Sequence, residues 1–171
     1  MDAEQDELTV AVEVRDLRLE DWPRVRAIYE EGIAGGLATF ETEAPTWDAW
    51  DAAHPELRLV AEREGEVVGW AALSPASSRR CYRGVAEVSV YVAEDAQGGG
   101  VGLALLERLV AVSEDAGYWT LTAGVFPENE ASLRLHRACG FRDVGVRERL
   151  GESAGVWRDV LLLERRSAVV G

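Results

Sequence analysis

Apolar and polar residues alternate through the first half of "VAVEVRDLRLEDW", the period-two pattern of a strand. The rhythm then lengthens. In "LEDWPRVRAIYEEGI" the apolar positions Leu19, Trp22, Val25, Ile28 and Tyr29 recur at helical intervals. "AGGLATFETEAPT" is a turn-rich connection, and "WDAWDAAH" is a short helical segment stopped by Pro55. Two apolar runs in "LRLVAEREGEVVGWAALSP", joined around Gly65, predict a hairpin. "SSRRCYR" is a polar loop, and "GVAEVSVYVA" is a strand. A glycine stretch and an amphipathic helix follow, with Val101, Leu105, Leu109 and Val112 on one face. "YWTLTAGVF" predicts a strand, "PENEASLRLHRACG" a helix with a glycine stop, and "FRDVGVRERL" and "GVWRDVLLLER" two closing strands. The predicted order is β-α-α-β-β-β-α-β-α-β-β, a single mixed α/β domain over residues 10–171. Residues 1–9 are an acidic tail expected to be disordered.

Composition narrows the classes. With 171 residues, 47% of them hydrophobic, the chain can bury one sizeable core. No apolar run approaches the roughly 20 residues of a membrane span, and "MDAEQDELTV" has no basic region or apolar segment of a secretory signal. The net charge of −13 argues against nucleic acid as a partner, because phosphate binding needs a basic face. Cys81 and Cys139 with His54 and His136 show no zinc-ligand spacing, so no metal is expected. Two lone cysteines fit a reducing cytoplasm, and no membrane association is expected.

The glycine stretch "QGGGVG" lies between a strand and a helix. A helix start offers unpaired N–H groups and a partial positive charge, and glycine lets a ligand approach the backbone closely. Together these make an anion site built from main chain. A P-loop would need Gly-Lys-Ser/Thr, but Val-Gly-Leu follows. A dinucleotide fingerprint needs a third glycine where Leu103 or Leu105 stands. By themselves the glycines serve equally as a flexible loop with a helix cap.

"QGGGVG", the strand "VAEVSVYVAEDAQ" before it and "NEASLRLHRACGF" about thirty residues later together resemble the GNAT N-acetyltransferase superfamily, in its Q/R-x-x-G-x-G/A and N-x-x-(A/S)-x-x-x-(Y/H)-x-x-x-G-F motifs. "AIYEEGIAGGLATFETEAPT", "EVVGWAALSP", "RCYRGVAEVSVYV" and "GVWRDVLLL" resemble the phosphinothricin and methionine-sulfoximine acetyltransferase branch over roughly residues 12–164. The resemblance implies a central, mostly antiparallel twisted sheet with a splayed parallel strand pair, flanked by helices. It implies acetyl-coenzyme A as cosubstrate, a small amino-acid-like acceptor, direct transfer in a ternary complex, and a homodimer.

It also implies site residues. The amides of Gly98, Gly99, Gly100, Val101, Gly102 and Leu103 would hold the pyrophosphate. The pantetheine arm would pair with Val90, Tyr91 and Val92, and Asn129 would contact the coenzyme as well as cap its helix. Relatives often carry Arg or Lys at position 99; here the missing cation could be replaced by Arg134 or Arg137, unless both are solvated helix charges. Glu87, with Ser89 and Tyr91 on one face of its strand, would take the proton that an ammonium acceptor must lose; the alternative is a solvent-facing strand carboxylate. His136 stands seven residues after Asn129, about 10 Å along the helix, and could act as acid or base. Arg80, Cys81 and Tyr82 in the arginine-rich loop, together with Glu87, Val88 and Ser89, would bind the acceptor, with Phe40 as an apolar wall; a solvated basic loop is the alternative. The last hairpin departs from the branch: Ser153, Ala154 and Val156 stand where relatives carry Lys, an aromatic and Arg, while Trp157 and Asp159 remain. Competing functions are acetylation of a protein N-terminus or a polyamine, and non-catalytic binding of acetyl-coenzyme A; the arginine loop argues against a polyamine.

Overall fold

A computed structural model describes residues 11–171; the tail expected over 1–9 lies outside the described residues. The chain runs β1 (Glu13–Asp16), α1 (Trp22–Gly35), α2 (Trp47–Ala53), β2 (Arg58–Arg63), β3 (Glu66–Pro75), β4 (Val85–Val92), α3 (Val101–Asp115), β5 (Thr120–Val125), α4 (Glu130–Ala138), β6 (Arg142–Ser153) and β7 (Val156–Arg166). This is the order that the hydrophobic pattern predicts. One detail differs at the start of α1. Leu19 belongs to a short 3-10 turn and is exposed, because the helix begins only at Trp22, with Pro23 in its first turn, where a missing N–H is harmless.

The strands form one seven-stranded sheet in the order β1-β2-β3-β4-β5-β7-β6. All neighbours are antiparallel except β4 and β5. The β2–β3 turn places Glu64 and Gly65 at φ of 53° and 79°, the paired left-handed geometry that a two-residue hairpin requires. Ala154 and Gly155 do the same between β6 and β7, at 50° and 79°.

Both faces of the centre are covered, and β3 shows why its apolar run is continuous. Gly69 faces α3, where an added Cβ would come within 2.9 Å of Leu105 Cδ1. The next residue, Trp70, faces the other side and lies 5.7 Å, ring to ring, from Tyr29 of α1. Val67 through Leu73 are therefore all buried. On α3, Val101, Leu105, Leu106 and Leu109 are buried, while Val112 is only partly so.

The β4–β5 pair positions the site. These strands pair for three residues only, Val85 with Thr120, Ala86 with Leu121 and Glu87 with Thr122. Beyond Glu87, β4 runs on to Val92 beside β3, while β5 runs on to Val125 beside β7. The sheet splits there, and the β5-facing edge of β4 has no strand partner.

Candidate functional site

The glycine loop lies at the end of β4. The Ala93 N–H still reaches Val68 O, at 2.8 Å, and a 3-10 turn over Glu94–Ala96 leads into Gln97. Gly98 and Gly100 then adopt φ of 79° and 81°. An added Cβ would meet nothing within 4 Å at either, so left-handed backbone, not crowding, demands glycine here. Gly100 caps α3 with no side-chain hydrogen bond, and the amides from Gly98 to Leu103 donate to no other described residue. Gly102 has a different reason: Leu135 of α4 and Val92 of β4 pack against it, and an added Cβ would lie 3.1 and 3.5 Å from them.

The charge beside this loop comes from an unexpected element. Where a Gly99 side chain would start, Nη1 of Arg63 lies 3.7 Å away, at the end of β2. Arg63 has no ion-pair partner among the described residues. Arg137 is instead committed to Asp143 through two hydrogen bonds of 3.0 and 2.7 Å, and Arg134 is exposed on α4. Neither Arg134 nor Arg137 comes within 4 Å of the Gly99 Cβ position; the arginine beside it is Arg63, from β2.

A cavity of about 960 Å³ opens where the strands part. Of the residues singled out from sequence, Phe40, Glu87, Val88, Ser89, Val90, Tyr91, Asn129 and His136 line it. Glu87 projects into it with water access and no hydrogen-bond partner among the described residues; the surrounding protein pushes its carboxyl above the ordinary range. His136 is buried, and its Nδ1 lies 2.7 Å from Ser132 O. A carbonyl only accepts, so Nδ1 carries the proton and Nε2 is left with a lone pair. Burial also holds the imidazole below the usual histidine pKa, which keeps it neutral.

Other walls are fixed by packing. The Tyr91 ring stacks on Trp70 at 4.7 Å and meets Tyr29 at 4.9 Å. Phe40 stands edge-on to Phe126 at 4.8 Å, above Gly151, where a Cβ would sit 2.8 Å from its ring. Asn129 caps α4 through Ser132 N, at 3.2 Å, and donates to Leu37 O at 3.1 Å, tying the helix to the loop that carries Phe40. Val92 packs toward α3 and does not line the cavity. Arg80, Cys81 and Tyr82 occupy an exposed 3-10 turn that does not line it either. Sequence reasoning missed His54 and Arg147 as cavity residues; only the packing of α2 and the register of β6 bring them there. No group of three metal-ligating side chains occurs among the described residues, and no helix there is long and apolar enough to cross a membrane.

Residues 12–141 match the Acetyltransferase (GNAT) family. A phosphinothricin N-acetyltransferase of Alcaligenes faecalis is 41% identical over 165 residues, 91% of this chain and 82% of that one. The crystal structure of a phosphinothricin acetyltransferase from Sinorhizobium meliloti in complex with acetyl-CoA superposes with a TM-score of 0.84 at 30% identity, over 91% of this chain and 88% of that one. A ribosomal-protein-alanine N-acetyltransferase from Brucella melitensis gives 0.84 at 33% identity, over 91% and 99%.

Proposed function

The chain belongs to the GNAT acetyltransferase family and is an acetyl-CoA-dependent N-acetyltransferase, and we propose that its acceptor is the amino group of a small amino acid or analogue of the phosphinothricin or methionine sulfoximine type. One observation carries this reading. The unpaired amides of Gly98–Leu103 stand at the end of the same strand whose free edge and Glu87 face the cavity. A polyanionic coenzyme and a basic group for the acceptor thus meet along one β-strand.

The features fit acetyl-CoA. The loop amides and the start of α3 suit a pyrophosphate, and Arg63 adds a guanidinium beside Gly99. The free edge of β4 from Val88 to Val92 offers backbone pairing to the pantetheine arm. When bound, acetyl-CoA supplies a thioester-activated acetyl group and leaves as the thiol. The protein's work is proton handling and positioning. An amino acid arrives as an ammonium and must lose a proton before its nitrogen can attack. Glu87, with its raised pKa, takes that proton directly or through water. The nitrogen sheds a second proton as the C–N bond forms. His136 Nε2, neutral and unprotonated, is an acceptor for it, which favours the base reading of this residue over a permanent acid; that proton, passed on to the departing sulfur, makes the leaving group a thiol. Transfer is direct, in a ternary complex, with most of the acceleration from juxtaposition.

Phe40, Val88 and Ser89 would form acceptor walls. Arg80, Cys81 and Tyr82 lie outside this chain's cavity, and we assign them to the acceptor path only through a second copy. The β6–β7 hairpin, with Val144, Val146, Val156 and Trp157 exposed, is the proposed dimer surface; light scattering at working concentration tests it. With an acidic chain we also propose a cytoplasmic enzyme without nucleic-acid partners.

The likeness to the Brucella melitensis enzyme supports a second reading, acetylation of a protein N-terminus. A panel of free amino acids, phosphinothricin, methionine sulfoximine and N-terminal peptides, read by thiol release, separates the two. Turnover confined to peptides would overturn the small-acceptor reading. Tight binding of acetyl-CoA with no thiol release from any amine would favour a binding module.

A further inference from the structure

The sheet face that carries Glu87 carries a cation at its far edge. Glu87 lies opposite Thr122, and Thr122 lies opposite Glu164 of β7. Two and four residues back along β7, Leu162 and Val160 keep that face and line the cavity, and Val160 lies opposite Arg147 of β6. Arg147 thus faces the same cavity as Glu87. Four residue rises and three strand spacings separate them, ~13 Å along and ~14 Å across at backbone level. The floor between them is low. Gly124, opposite Leu162, also lines the cavity, and a Cβ there would come within 3.2 Å of Val160 Cγ1.

The strand bulges immediately after Arg147, which is exposed at this wall. Between the pairs Arg147–Val160 and Gly151–Arg158, β6 sets residues 148–150 against Asp159 alone. Asp159 Oδ1 accepts the N–H of Arg149, at 2.7 Å, and Arg149 takes the left-handed φ of 48°. In an unbroken strand, positions 147 and 150 would face opposite ways; the bulge adds Leu150 to the cavity face that Arg147 already occupies. The other arginine lining the cavity, Arg26, is paired with Glu30 at 3.0 Å, and His54 and His136 are held neutral by burial. Among the described residues Arg147 has no hydrogen-bond or ion-pair partner, although Glu41, Glu43 and Glu87 line the same cavity.

We infer that Arg147 binds an oxyanion, a carboxylate or phosphinate, at the end of the acceptor remote from its reacting amine. This rests on the small-acceptor reading above and sharpens it: the preferred substrate has two polar ends several bonds apart. A guanidinium suits this because its planar fork donates two parallel hydrogen bonds to such a group. The hairpin tip, with Ser153, Ala154 and Val156, supplies no charge of its own.

The test compares L-phosphinothricin with L-α-aminobutyrate, the same skeleton without the phosphinate, in wild type, Arg147→Leu and Arg147→Lys. Arg147→Gln covers the case in which leucine disturbs the hairpin. Losing one charge-assisted contact should raise KM for phosphinothricin about 10–100-fold, with kcat little changed and kcat/KM for aminobutyrate unaltered; lysine should recover part of the loss. Equal losses with both acceptors, or no change with either, would overturn the assignment and leave Arg147 a guard on an edge strand. If the wild type binds acetyl-CoA but acetylates neither compound, the acceptor class fails and this inference goes with it.

Discussion

The glycine loop and the cavity meet at β4 but are built on opposite principles. The loop uses main chain: six consecutive residues from Gly98 to Leu103, two of them held left-handed, leave their amides without a partner among the described residues. The cavity uses side chains and gathers them from far apart: Phe40 from a loop, Glu87 from β4, Asn129 and His136 from around α4, and Arg147 from β6. A backbone site needs little sequence variety and works despite a net charge of −13, because its field is local. A side-chain site can be retuned residue by residue, as Arg147 illustrates on a hairpin whose tip carries no charge.

This contrast can be broken at either end. The largest effect should come from Glu87→Gln, which keeps shape but removes the proposed base. We expect kcat to fall about 10²–10⁴-fold while coenzyme affinity, measured by calorimetry, stays put. In wild type, activity should drop as pH falls toward the raised Glu87 pKa, above the ordinary 4.5; in the variant that limb should vanish. A variant retaining the limb would move the base elsewhere.

Gly100→Asp attacks the other side. Aspartate tolerates left-handed backbone and caps helices well, so the fold should survive, but its charge opposes an anion. Coenzyme affinity should weaken about 10–100-fold with little change in melting temperature. Unchanged affinity would refute the amide-loop assignment. Arg63→Ala should do less, up to about fivefold at low salt and fading as salt rises. Adding Gly99→Arg to that variant should restore binding by returning a cation to the loop itself; failure to do so would separate Arg63 from the phosphates.

The smallest effect concerns stability. Burial lowers the pKa of both His54 and His136 in the fold, so the unfolded chain takes up more protons as pH drops. The stability from keeping them neutral is fully present above the unfolded value near 6.5 and is lost as pH falls below it. Melting temperature should decline through that window, and His136→Gln should flatten the decline. An equally steep fall in the variant would remove His136 from the account.

Much of this was legible in sequence because it is local. The element order follows from hydrophobic period, and the two hairpin turns need Gly65 and Gly155 for left-handed backbone. "QGGGVG" and "NEASLRLHRACGF" pointed to the coenzyme because an amide cradle and a capped helix are each written in one short stretch. Glu87 and His136 were singled out from similarly short stretches, and both line the cavity. The cation beside Gly99 was not, since Arg63 reaches the loop from a strand more than thirty residues earlier.

The sequence by itself determined the elements, the family and the donor, because period, turn chemistry and backbone anion sites depend on neighbours along the chain. Only the tertiary structure decided that the sheet parts after Glu87, that the arginine turn stands outside this chain's cavity, and that Arg147 faces into it. Each of these depends on which strand lies beside which and in what register, and pairing between distant segments is set by how the whole core packs.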